Sequence, residues 1–174
     1  MKREREASLR QYFGEVQEEF GIDQPVILSL TKRVGGEPEE GYYSSPTRQG
    51  RTAMVVLRRG DPSSVLKRSI RHELAHAKLH GDYEVAYETA EDLVRMEIEA
   101  DLLAYGSPPP LQYLMTIMVH KFGLGKEAAY RLVRRVALDL GIPQATITRA
   151  GRSFRKILVR MGGLQVFKKE AKEW

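Results

Sequence analysis

Between residues 5 and 20, Leu9, Phe13, Val16 and Phe20 recur three and four positions apart, the stripe of an amphipathic helix with one buried face. The pattern then shortens. PVILSLTKR (25–33), GYYSSPTR (41–48) and RTAMVVLRR (51–59) are brief runs rich in β-branched and aromatic residues, with Gly35-Gly36 and Gln49-Gly50 between them. They predict three strands in an antiparallel meander. Asp61-Pro62 predicts a helix start, with Asp61 as the N-cap and Pro62 in the first helical position. Val65, Leu66 and Ile70 carry that helix forward to Gly81, a natural C-cap. A further helix is expected over 84–105, stopped by Gly106 and the prolines at 108–110. Three more follow, at about 111–122, 126–140 and 144–161, separated by glycines. Helix, strands and then helices alone make an α+β chain. The Pro-rich stretch at 107–110 divides it into a first domain, 1–106, and a helical region, 107–174.

The helix that ends at Gly81 contains His72-Glu73-Leu74-Ala75-His76. Residues four apart share a helix face, so His72 and His76 can grip one metal ion, with Glu73 beside it as a base. A hydrolytic zinc site needs a third protein ligand and keeps a fourth position for water. With no cysteine in the chain, that ligand must be a histidine or a carboxylate. Glu97 and Glu99 stand in the next helix, two residues and therefore about 200° apart, so only one can face the metal. Ala90, Leu93, Ala100 and Ala104 define the apolar face, and Glu97 and Asp101 fall on it. Glu99 falls with Glu88, Asp92 and Arg95 on the charged side.

Carboxylates on a core-facing stripe are costly unless a positive group meets them. The stripe therefore selects Glu97 as the third ligand and Asp101, one turn on, as the acceptor for a ligand histidine's ring N–H. The alternative is that both pair with Arg68, Arg71 or Arg95 at a helix interface. His80 lies about 12 Å up the axis from His72 by helical rise. It is expected to pack or hydrogen-bond rather than ligate. His-His-Glu suits zinc, and also manganese or iron.

The net charge of +5 is unevenly spread. Residues 82–105 carry 1 basic and 8 acidic side chains, whereas residues 106–174 carry 13 and 4. A basic third of this size suits phosphate, nucleic acid above all, or else is a solvated surface with a cationic tail at Lys168, Lys169 and Lys172. Within it, Ala137, Gly141 and Ile147 have the spacing of a helix-turn-helix. GIPQATITR is similar to the GVSxxTVSR stretch of bacterial repressors. Its second helix would present Gln144, Thr146, Thr148, Arg149 and Arg152 to a major groove. A plain helical hairpin meets the same spacing, and FGLGKEAAYRLVRR (122–135) offers a competing register. No stretch approaches a membrane span and no apolar run follows the charged start, so a cytoplasmic protein without a membrane partner is expected.

HELAHAKLHG followed by EIEADLLAY resembles the ImmA/IrrE family of metallopeptidases, which pairs HELGHxxLH with a later ExEANxFA. The resemblance covers about residues 25–105. It departs at Ala75, where the family usually has Gly, and at Gly106–Pro110, where it usually continues into LLMP. It implies a zincin-like fold, with an N-terminal helix and a small antiparallel sheet packed on the active-site helix. It also implies His72, His76 and Glu97 as zinc ligands, Glu73 as base and Asp101 in the Asn/Asp position. The activity implied is that of a cytosolic peptidase cutting a DNA-binding repressor, with a helix-turn-helix unit following the peptidase fold in some members. For the oxyanion, Tyr42, Tyr43, Tyr105 and His120 remain open. Two other readings stand beside this one. One is a DNA-binding regulator whose zinc site is structural or vestigial. The other is a DNA-dependent repair protease, disfavoured because such groups usually take a histidine third ligand and this chain has none at suitable spacing.

Overall fold

The computed structural model describes residues 2–31, 41–44, 52–81 and 89–160. Among them the chain is α+β: one N-terminal helix, a small three-stranded mixed sheet, then five helices. Helix α1 (Lys2–Phe20) buries Leu9, Phe13, Val16 and Phe20. It ends at Gly21, whose φ of 59° lets Gly21 N–H reach Glu18 O and Ile22 N–H reach Gln17 O, both at 3.0 Å. That pair of bonds satisfies carbonyls the helix end leaves open.

Strands β1 (Val26–Thr31), β2 (Gly41–Ser44) and β3 (Ala53–Arg58) lie in the order β1-β3-β2. β2 runs antiparallel to β3, but β1 runs parallel to it, with Val26 opposite Ala53 and Thr31 opposite Arg58. The expected antiparallel meander is therefore wrong. Glycine pairs signal that a chain reverses; they do not say which neighbour the returning strand takes. AMVVLR has an unbroken apolar centre, suited to a strand flanked on both edges, and β3 takes that place. The turn residues Gly35-Gly36 and Gln49-Gly50 lie outside the described residues, as do residues 84–88 of the expected third helix and the lysines at 168, 169 and 172.

Helix α2 (Ser63–His80) starts one residue later than expected, with Pro62 as N-cap and no side-chain capping bond. Asp61 does not cap it. Its carboxylate instead accepts from Arg58 Nε at 2.8 Å and Nη2 at 2.7 Å, a charge-assisted pair stronger than a cap bond. Gly81 ends α2 with φ −58°, an ordinary right-handed conformation. Its lack of a side chain matters for space: a Cβ there would sit 2.4 Å from Ala77 O and 2.4 Å from Gln24 Nε2. Helices α3 (Ala90–Tyr105), α4 (Leu111–Phe122), α5 (Lys126–Asp139) and α6 (Gln144–Arg160) complete the described chain.

Two compact units result. One comprises α1, the sheet, α2 and the part of α3 from Glu99 onward. Its core joins Leu9, Phe13 and Val16 of α1 to Val55 and Leu57 of β3, Leu66, Ile70 and Leu74 of α2, and Ala100 and Ala104 of α3. The other comprises α3 up to Ile98 with α4, α5 and α6. It buries Leu114, Met115 and Met118 of α4, Val133, Val136 and Ala137 of α5, and Ile147, Phe154 and Leu158 of α6. Among the described residues, no helix is long and apolar enough to cross a membrane.

Candidate metal centre

One turn of α2 separates His72 from His76, and the two rings meet edge-on with centroids 4.7 Å apart. Their Nε2 atoms lie 3.1 Å from each other. On α3, Asp101 is buried at 5 % exposure, with Oδ1 2.7 Å from His72 Nδ1. A carboxylate accepts, so Nδ1 carries the proton and the lone pair of a neutral His72 ring sits on Nε2. Glu97, one turn before Asp101, brings its carboxylate into the same cluster: ligand atoms of His72, His76 and Glu97 all lie within 4.8 Å of one another.

This donor set fits a divalent ion. Two nitrogens on a tetrahedral zinc, each about 2.0–2.1 Å from it, stand about 3.3 Å apart, close to the 3.1 Å between the two Nε2 atoms. Two imidazole lone pairs and a carboxylate converging in a half-buried place suit a cation and repel one another without one. Glu73, next to His72 in the chain, is buried at 8 % exposure.

The other candidates fall elsewhere. Glu99 Oε2 lies 3.8 Å from His80 Nε2, and His80 is buried with its ring centroid 5.5 Å from that of His76. Arg71 forks onto Glu19, with Nη1 and Nη2 each 2.7 Å from a carboxylate oxygen. Arg95 lies 3.6 Å from Asp139, and Arg68 stacks over the Tyr105 ring. Asp101 thus meets a histidine rather than the arginine partner that the alternative required. Of the four oxyanion candidates, Tyr42 is 41 % exposed, Tyr43 is half-buried on β2, and His120 is exposed on α4. The Tyr105 hydroxyl donates to the main-chain carbonyl of Arg68. Burial, with the nearby Asp101 charge, pushes its pKa up to about 12.

Sequence reasoning missed the bonds around this centre: Arg71 to Glu19 and to the Ala104 carbonyl, and Tyr105 to Arg68. Helical spacing carried a signal for them, since Arg68 lies four residues before His72 and Tyr105 four after Asp101.

In the second unit, α5 and α6 join through Leu140–Pro143, where Gly141 adopts φ 77°. Ala137 and Ile147 are fully buried on either side of that turn. Gln144, Thr148, Arg149 and Arg152 are exposed, Thr146 is half-buried, and Gln144 Nε2 donates to Thr148 Oγ1 at 3.1 Å. α6 crosses α5 closely, since a Cβ on Gly151 would lie 2.6 Å from the Tyr130 ring. Comparison with protein-family models, with curated proteins and with solved structures finds no match for this chain.

Proposed function

We propose that this protein is a zinc-dependent endopeptidase acting on a protein substrate, a DNA-binding regulator. The observation that carries the reading is the convergence of His72, His76 and Glu97 within 4.8 Å, with Asp101 holding His72 Nδ1 at 2.7 Å. The resemblance of HELAHAKLHG and EIEADLLAY to the ImmA/IrrE metallopeptidases supports the reaction and the class of substrate. When bound by these three side chains, zinc supplies a Lewis acid that polarises the scissile carbonyl and acidifies water towards neutral pH; manganese or iron suits the same ligands. Glu73 takes a proton from the attacking water and returns it to the leaving amine nitrogen. Asp101 keeps His72 in the tautomer whose Nε2 can ligate.

Replacing Glu73 with Gln tests the reading. The expected variant keeps its metal, measured by elemental analysis, and loses cleavage of the regulator. Unchanged cleavage by Glu73→Gln would refute it.

A second activity, DNA contact, is favoured by the α5–α6 turn. Gly141 at φ 77° between buried Ala137 and Ile147 is the spacing of a helix-turn-helix. α6 also carries Arg149, Arg152, Arg155, Lys156 and Arg160 without one acidic residue. Arg149 and Arg152 then face phosphate or guanine, and Gln144, Thr146 and Thr148 lie nearest the base edges.

A further inference from the structure

The fully buried side chains that α3 gives the core of the first unit are short. Ala100 and Ala104 are its buried members, with Tyr105 packed against them, whereas α2 supplies Leu66, Ile70 and Leu74. Methyl groups interlock weakly, so apolar packing in this core sets the end of α3 from Glu99 onward only loosely. Two crossed hydrogen bonds supply what packing lacks. Arg71 Nε on α2 donates to the Ala104 carbonyl on α3 at 2.9 Å, and the Tyr105 hydroxyl on α3 donates to the Arg68 carbonyl on α2. The Arg68 guanidinium also lies over the Tyr105 ring, 5.2 Å from its centroid.

Each bond runs from a side chain of one helix to the main chain of the other, so together they resist both sliding and rotation. Arg71 is itself fixed, because its two terminal nitrogens are held by Glu19 of α1 and its guanidinium lies over the Phe20 ring, 5.1 Å from the centroid. The pair sits one helical turn beyond the contact between His72 and Asp101: Arg68 precedes His72 by four residues, and Tyr105 follows Asp101 by four. We propose that Arg71 and Tyr105 are positioning residues, a reciprocal clamp that sets α3 against α2 and thereby holds Asp101 on His72. The clamp rests on the metal-centre reading for its role. Both groups are suited to a permanent tie, since Arg71 stays charged and Tyr105, pushed up to about 12, keeps its proton at any physiological pH.

The test uses the full chain with Tyr105→Phe, which removes only a hydroxyl, and Arg71→Lys, which keeps the charge and removes the fork. Zinc affinity is measured by chelator competition, beside His76→Ala as the ligand control. Each clamp variant is expected to bind zinc about 3- to 10-fold more weakly, the range that removal of one hydrogen bond supports. In the metal-free chain, the Nδ1–H of His72 held on Asp101 is expected as a slowly exchanging, downfield proton line in NMR spectra, broadened by exchange in both variants. A lower melting temperature with zinc affinity and the NMR line unchanged overturns the clamp. If the unaltered chain takes up no zinc, the metal reading fails and the NMR line alone decides the clamp.

Discussion

A carboxylate buried as deeply as that of Asp101 must be answered by a donor, and His72 Nδ1 at 2.7 Å answers it. Asparagine there can still accept from Nδ1 but no longer carries the charge that makes the imidazole a better ligand. Asp101→Asn is therefore expected to weaken zinc binding about 10- to 100-fold, read by chelator competition. Glu97→Ala is expected to abolish metal uptake and Glu99→Ala to leave it intact. Full occupancy in the Glu97 variant, by elemental analysis, would overturn the choice of ligand. Both carboxylates were legible in the sequence because a helix sorts residues by angle: Glu97 and Asp101 share the alanine face and Glu99 does not. The structure adds what Glu99 does instead, lying beside His80.

At the scale of elements, the tie between α1 and α2 is electrostatic at Arg71. The bond from Arg71 holds the Glu19 carboxyl below its ordinary pKa of 4.5. A lowered folded-state value contributes stability that is present above that pH and lost as pH falls through the folded value. Tyr105 has the opposite sign: its value rises from 10.0 to about 12, so its contribution is complete below pH 10 and lost as pH climbs towards 12. Urea midpoints against pH are expected to show both arms. Glu19→Gln flattens the acid arm and Tyr105→Phe the alkaline one. Gly81→Ala tests the close approach at the end of α2. The conformation there suits alanine, which alone would stabilise by up to about 1 kcal/mol, but the methyl meets the Ala77 carbonyl at 2.4 Å. Overpacking wins, and a loss of about 1–3 kcal/mol is expected, measured by chemical denaturation.

For the whole molecule, charge divides with the chain: the acidic stretch at 82–105 includes the α3 carboxylates, and the basic third includes α6. Among the described residues, Arg135 pairs with Glu91 and Arg95 with Asp139, whereas Arg149 and Arg152 are exposed and make no ion pair. Charge reversal at both, Arg149→Glu with Arg152→Glu, is expected to weaken binding to duplex DNA. It should also make log K against log salt concentration shallower by about 0.9 for each phosphate that the protein no longer neutralises. Fluorescence anisotropy across a salt series checks this. An unaltered slope and affinity would leave α5 and α6 as a plain helical hairpin.

Local signals were enough to determine most helices, since a 3.6-residue period, a proline or a glycine acts within a few residues. The observed bounds of α4, Leu111–Phe122, match the expected ones, and α5 and α6 end within a residue of theirs. The pairing of strands was not local. β1 lies parallel to β3, a choice made between segments 27 residues apart, as Val26 and Ala53 are. Asp61 shows the same limit, since its cap competed with an arginine already held nearby on β3. The candidate metal site divides along this line too. Helical angle put His72 with His76 and Glu97 with Asp101, each pair within one helix. Only the packing of α2 on α3 decided that the two pairs meet, because that depends on contacts between segments about 25 residues apart, which no single helical period encodes.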